Sequence, residues 1–164
     1  MTTMQRAPTD QATLDRNKEV ARQLIDRIFV RQEDRAIDEL VAEDFTPHTF
    51  GPMPRGREGL REGMRRAGAG VSDARFEIHD MIAEGDRVAV RMTTSARHTG
   101  TFMGLEGTGN RYSIDEIHIL RIHDGRLVEH WHAFDTMGLM RQLKGEGEGP
   151  TEGGAAIGRS GRPA

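Results

Sequence analysis

The chain predicts an α+β fold: a curved, mainly antiparallel sheet wrapped around N-terminal helices, forming a cone with an apolar cavity. Two observations carry that expectation. Apolar residues recur at helical spacing up to Gly70 and at every second position from there to Phe134, so helices come first and strands afterwards. The later segments are joined by short turn signals, Glu84-Gly85-Asp86 and Asp124-Gly125, which make consecutive hairpins. Long twisted strands of this kind curl around their helices and leave one end open.

Residues 1–12 are polar and aperiodic and are expected to be disordered. Val20, Leu24 and Ile28, flanked by Ala21, Ile25 and Phe29, mark one face of a first helix. A short second helix carries Ile37, Leu40 and Val41. An extended piece from Glu43 to Pro54 follows, and its prolines keep it out of the middle of a sheet. Arg57 to Ala67 forms a third helix with Leu60, Met64 and Ala67 inward, weakened by Gly59 and Gly63.

Phe76, Ile78 and Ile82 then alternate with polar positions, as do Val88, Val90 and Met92 in a strand that runs towards Thr101. A Gly-rich connection, Gly100–Gly109, leads to a strand from Arg111 to Ile122, and the Asp124-Gly125 turn to another from Leu127 to Phe134. Asp135 or Thr136 caps a last helix containing Met137, Leu139, Met140 and Leu143. Beyond it, residues 145–164 are rich in Gly and Glu with nothing to bury, so the tail is expected to be disordered and the folded domain to span residues 13–144.

Composition narrows the function. A net charge of −3 with both signs interspersed gives no nucleic-acid footprint. The absence of cysteine removes a disulfide framework, a thiolate zinc site and a thiol nucleophile. Residues 1–10 lack an apolar leader core, and no stretch approaches the roughly 18 apolar residues of a membrane span. A soluble cytoplasmic protein is expected, with no nucleic acid and no membrane as partner.

The chemistry concentrates on the last two strands. Alternate residues of a strand share a face, which groups Ile114, Glu116, His118, Leu120 and Ile122 on one strand and Val128, His130, His132 and Phe134 on the next. If those faces coincide, Glu116, His118, His130 and His132 converge among aliphatic residues, where several polar groups must all find partners. A pocket accounts for them, because imidazole exchanges protons near neutral pH. The opposite sidedness, with Asp115, Ile117, Ile119, Glu129 and Trp131 inside, is equally compatible with the alternation. Four further residues are candidate contacts to substrate: His48 at the mouth of the cavity, Met92 in an adaptable lining with Met53, Met64, Met81 and Met103, and Phe134 and Asp135 at the end of the last strand. His79 and His98 fall at strand ends and are expected in solvent, and Trp131 opposes the histidines in parity, as a packing or interface residue would.

Several strings resemble the SnoaL-like polyketide cyclase family of the cone-shaped nuclear transport factor superfamily: Asn17 to Arg22, Leu40 to Phe45, Arg57 to Leu60, Ala83 to Arg91, His98 to Gly104 and Arg121 to Trp131, running on to Gln142-Leu143. The resemblance covers residues 17–144. It implies ring closure by intramolecular aldol condensation of a hydrophobic carbonyl compound, with no metal and no cofactor, in a homodimer or higher homo-oligomer. It also implies an acid/base carboxylate on the last strand, at the position His132 occupies, two residues after a histidine matched by His130. A histidine on the preceding strand matches His118, and a polar amide two residues before it matches Glu116. The expected catalytic set is therefore His132 as base with His118 and His130 as electrophilic partners and Glu116 orienting an imidazole; Asp135 is the alternative base. Three other functions compete: a binding protein that holds a small apolar ligand without turnover, a metal site built from Glu116, His118, His130 and His132, and an isomerase, dehydratase or hydrolase of the same superfamily.

Overall fold

Asp10 accepts the backbone N–H of Thr13 at 3.0 Å, which caps helix α1 (Gln11–Gln23). The helix thus begins two residues ahead of the boundary read from the sequence at residue 13. The computed structural model describes residues 9–48 and 53–147, so the expectations for residues 1–8 and for the tail from 148 onward lie outside the described residues.

The α1 helix continues as a π-helical stretch, Leu24–Val30, whose wider turn buries Leu24, Ile25 and Ile28 together. Helix α2 (Asp34–Leu40) and strand β1 (Val41–His48) follow, with Val41 opening the strand rather than closing the helix. Helix α3 (Gly56–Gly70) is longer than its apolar positions indicate. Its glycine at position 59 has a packing reason: a Cβ there would meet the carbonyl oxygen of Pro54 at 1.9 Å.

Strands β2 (Val71–Glu84), β3 (Arg87–His98), β4 (Arg111–His123) and β5 (Arg126–Phe134) form an antiparallel meander, and helix α4 (Thr136–Lys144) closes it. The five strands lie in the order β1-β5-β4-β3-β2, with β1 parallel to β5 at one edge. Pro47 is tolerated there because an edge strand leaves one side of its backbone unpaired. The result is a curved, open, mixed sheet, antiparallel in all but its first pairing.

The alternation in β2 does not run straight through. The register shifts between Ile78 and Asp80, so the parity that faces the core moves from Phe76 to Met81 and Ala83. Ile82, on the alternating pattern an inward residue, is 68% exposed on the outer face.

The inner face of the sheet and the helices enclose two apolar clusters. The larger joins Ala21, Leu24, Ile25, Ile28, Ile37 and Leu60 to Val88, Val90, Met92, Leu120, Ile122 and Leu127. The smaller joins Ala96 and Tyr112 to Leu139 and Leu143 of α4. Glu116, His118, His130 and His132 sit on the same inner face as both.

Candidate active site

Register decides which residues meet. In the β4–β5 hairpin His118 stands directly opposite His132, Glu116 opposite Phe134, and Leu120 opposite His130. On the other side of β4, Met92 pairs with Glu116 and Val90 with His118. The histidine-bearing face is the inner one: Glu116, His118 and His130 are 6%, 4% and 7% exposed, whereas Ile117 on the alternate parity is 51% exposed. This settles the sidedness that the alternation alone left open. Burying four polar groups here follows from the position of the helices, which cover that face and leave the other to solvent.

The clustered groups contact one another. His132 Nε2 lies 2.5 Å from Glu116 Oε2. His118 Nδ1 lies 2.9 Å from His130 Nε2, with the rings nearly coplanar at 11°. His118 Nε2 sits 3.3 Å from the same Glu116 oxygen, an ion-pair distance without hydrogen-bond alignment. The His118 and His132 rings stack at 4.3 Å and 12°, and Phe134 flanks His132 at 4.9 Å. From the π-helical stretch, Phe29 packs 6.0 Å from the His118 ring.

Electrostatics follow from this packing. Burial alone works against the Glu116 charge, but the neighbouring His118, His132 and Thr94 side chains together outweigh it and hold the carboxyl down at about 2. Burial pushes His118 below the ordinary imidazole value, against the pull of Glu116. It pushes His130 well below, aided by the neighbouring His118 and His132. Near neutral pH the cluster therefore contains one firm negative charge, flanked by two imidazoles that resist protonation.

The donor atoms of Glu116, His118 and His132 lie within 4.8 Å of one another, close enough to raise the question of a metal. An imidazole lone pair lies in its ring plane, and the His118 and His132 planes stack 12° apart at 4.3 Å, so a shared ion would require one ring to turn.

The remaining candidates divide. Phe134 lies beside the cluster. Met92 is adjacent to Glu116 in register but wholly buried in the main core, so it supports the carboxylate and offers no surface to a ligand. His48 is misplaced by the sequence reading. Parallel pairing sets it opposite Trp131, so it lies on the outer face, stacked on that indole at 4.6 Å and bonded to Glu129 at 2.9 Å. Asp135 caps α4, as its position in the sequence offers, by accepting the Gly138 N–H at 2.8 Å, and it stands exposed, outside the buried set. His98 is fully buried, not in solvent; its Nδ1 meets the Thr108 hydroxyl at 3.0 Å, which in turn donates to the Leu143 carbonyl at 2.7 Å and ties α4 to the sheet.

Thr94 is the residue that sequence reasoning missed. It is 9% exposed and helps to hold down the Glu116 carboxyl. The signal was present: it is the polar member of the Val88-Val90-Met92 parity. Beneath the cluster, Leu24, Ile25, Ile28, Phe29, Leu60, Leu120 and Leu127 enclose with His118 and His130 a cavity of about 10 Å³, room for no more than one water. Of the four clustered side chains His132 is the most exposed, at 19%.

The sequence profile of the SnoaL-like polyketide cyclase family matches residues 19–143, and the chain belongs to this family. Aklanonic acid methyl ester cyclase DnrD of Streptomyces peucetius is 34% identical over 71 residues, 43% of this chain and 49% of that protein, so the match spans about half the length of the curated relative. The structure of TsrD from Streptomyces laurentii superposes with a TM-score of 0.67 and 32% identity, covering 82% of this chain and 97% of that one. A structure from Jannaschia Sp. CCS1 superposes with a TM-score of 0.74 over 86% of this chain and 97% of its own, at 18% identity, and shows the shared fold alone. Among the described residues no helix is long and apolar enough to cross a membrane.

Proposed function

We propose that the chain closes a ring in a polyketide-derived methyl ester by intramolecular aldol condensation, with His132 as acid and base and Glu116 as its partner. The observation that carries this reading is the buried Glu116–His132 contact, at the strand position that resembles the family's acid/base carboxylate. A neutral His132 that donates its Nε2–H to the carboxylate keeps a lone pair on Nδ1. That atom removes the proton from a carbon flanked by carbonyls, and positioned transfer of this kind contributes roughly 10²–10⁴-fold. The carbanion carbon then bonds to the ketone carbon, and the carbonyl electron pair moves to oxygen. The imidazolium, stabilised by Glu116, returns its proton to that alkoxide. Protons balance within one turnover, and the residues described supply both transfers.

Position 116 and position 132 exchange chemistry as a pair. The family pattern implied an amide on β4 and a carboxylate on β5; here the carboxylate stands on β4 and an imidazole on β5. His132→Asp alone would set two carboxylates side by side in a buried site, where like charges cannot both ionise. The double change Glu116→Gln with His132→Asp is expected to regain activity that His132→Asp alone lacks.

The test is incubation of the full chain with an aromatic polyketide methyl ester, monitoring an isomeric, ring-closed product. His132→Gln should lower turnover about 10²-fold while affinity for a product-like ligand stays within a few-fold. Normal turnover by that variant would move the base elsewhere. Stoichiometric binding without turnover in the parent chain would instead favour the carrier reading. A homodimer is also proposed, on the apolar row Ile82, Ala89, Ile119 and Trp131 that crosses the outer face; light scattering that reports one chain per particle would refute it.

A further inference from the structure

Three imidazoles and a carboxylate can share their protons in several patterns, and the contacts select one. An ionised carboxylate only accepts hydrogen bonds. His132 Nε2, at 2.5 Å from Glu116, therefore presents an N–H. His118 Nε2 is buried, 3.3 Å from the same oxygen, and has no hydrogen-bond partner among the described residues. A bare lone pair on it would face the oxygen lone pairs in a dry site, which is costly, so this nitrogen carries the proton. A neutral His118 protonated on Nε2 has a bare Nδ1. That atom lies 2.9 Å from His130 Nε2, which must then be the donor.

We infer that His130 donates its Nε2–H to His118 and that His118 turns a protonated Nε2 toward the Glu116 oxygen at ion-pair distance, which makes His118 and His130 positioning residues and leaves His132 Nδ1 as the basic atom offered to substrate. The role differs from that of an electrophilic partner. Both side chains are almost fully buried, which keeps their Nε2–H groups away from a substrate oxygen. What they do is polarise and orient the carboxylate that grips His132. Each donation strengthens the next, because a ring whose lone pair accepts a hydrogen bond becomes a better donor at its other nitrogen. The titratable groups packed around His132 are Glu116 and His118 from β4 and His130 from β5.

The functional arm of this inference rests on His132 as the base; the proton pattern rests on the contacts alone. The first measurement is therefore a long-range ¹H–¹⁵N correlation spectrum of the imidazoles in the full chain near pH ~8, above the lowered titrations of His118 and His130. Protonated Nε2 and bare Nδ1 are expected for His118, His130 and His132. A protonated Nδ1 on His118 would reverse the chain and overturn the assignment, whatever the enzyme's activity. The second measurement compares two variants. His130→Gln keeps an N–H donor for His118 and is expected to hold kcat/KM within about 3-fold, whereas His130→Met removes it and is expected to cost about tenfold. In the latter the weaker chain leaves Glu116 more basic, so the acidic limb of the pH–rate profile should move up. A purely structural role would lower the rate in both without moving the limb, and that outcome would also overturn the proposal. Should His130→Met fail to fold, the spectrum of the unaltered chain still decides.

Discussion

The two faces of one hairpin carry the same chemical pair under opposite conditions. On the inner face His132 meets Glu116 at 2.5 Å, with side chains 19% and 8% exposed; on the outer face His48 meets Glu129 at 2.9 Å, at 39% and 25%. Outside, Arg121 pairs with Glu129 and with Asp86 at 2.8 Å, and the Arg87 guanidinium lies 5.8 Å above Trp131. Water and these cations screen the pair, so its loss leaves nothing stranded. Inside, the Glu116 charge is held by Thr94 and two histidines with little water to help. The comparison teaches that a histidine–carboxylate contact is not by itself a site. What separates the two is whether each partner has an alternative.

The largest expected effect comes from removing the inner acceptor. Glu116→Leu strands the N–H groups of His118 and His132 in an apolar surrounding. Breaking a buried pair in this way costs roughly 3–5 kcal/mol, visible as a lower midpoint in urea unfolding. Turnover should vanish together with the orientation of His132. A Glu116→Leu chain as stable as its parent would show that the inner pair is as dispensable as the outer, and the contrast between the faces would collapse.

Acid should distinguish the faces next. His118 and His130 titrate below their ordinary value in the fold, so between about pH 6.5 and their folded values the unfolded chain binds protons that the folded chain refuses. Folding stability is complete above that window and falls as pH drops through it, by up to about 1.4 kcal/mol per pH unit for each group. Glu116 behaves differently: its carboxyl is depressed to about 2, so its contribution persists down to the unfolded value and is lost only between there and about 2. Urea midpoints measured from neutrality downward should therefore begin to fall before the carboxylates titrate. His130→Gln should shallow that slope, and an unchanged slope would place the acid sensitivity outside the inner cluster.

Much of this was legible from residue order, and the rest was lost for definite reasons. The shared parity of Glu116, His118, His130 and His132 needs only the two-residue repeat and the Asp124-Gly125 turn, both local. The position of His48 depends on β1 crossing to the far edge and pairing in parallel with β5, a contact 81 residues away in sequence for His48 and Glu129. Parity within Glu43–His48 could not reveal it. The exposure of Ile82 turns on a register shift near His79, where no glycine or proline flags a bulge. Burial of His98 follows from α4 folding back, with Thr108 and Leu143 supplying the contacts that make a buried imidazole tolerable. Local alternation thus supplied the faces, while long-range pairing assigned the residues that only looked like part of the site.

The smallest expected effect tests that last distinction. His48→Ala removes a ring stacked on Trp131 and a hydrogen bond to Glu129, both on the solvent side of the sheet. Glu129 retains Arg121, and Trp131 retains Arg87 above its ring, so neither partner is left without company. Exposed pairs of this kind contribute little because water replaces what is lost. The thermal midpoint should move by no more than about 2 °C, and kcat/KM on any substrate turned over by the parent chain should stay within about 2-fold. A rise in KM with an unchanged midpoint would return His48 to the ligand's path. If both values hold, the outer pair marks the baseline against which the inner one is measured: identical groups, bonded at similar distance, with their importance set by what surrounds them.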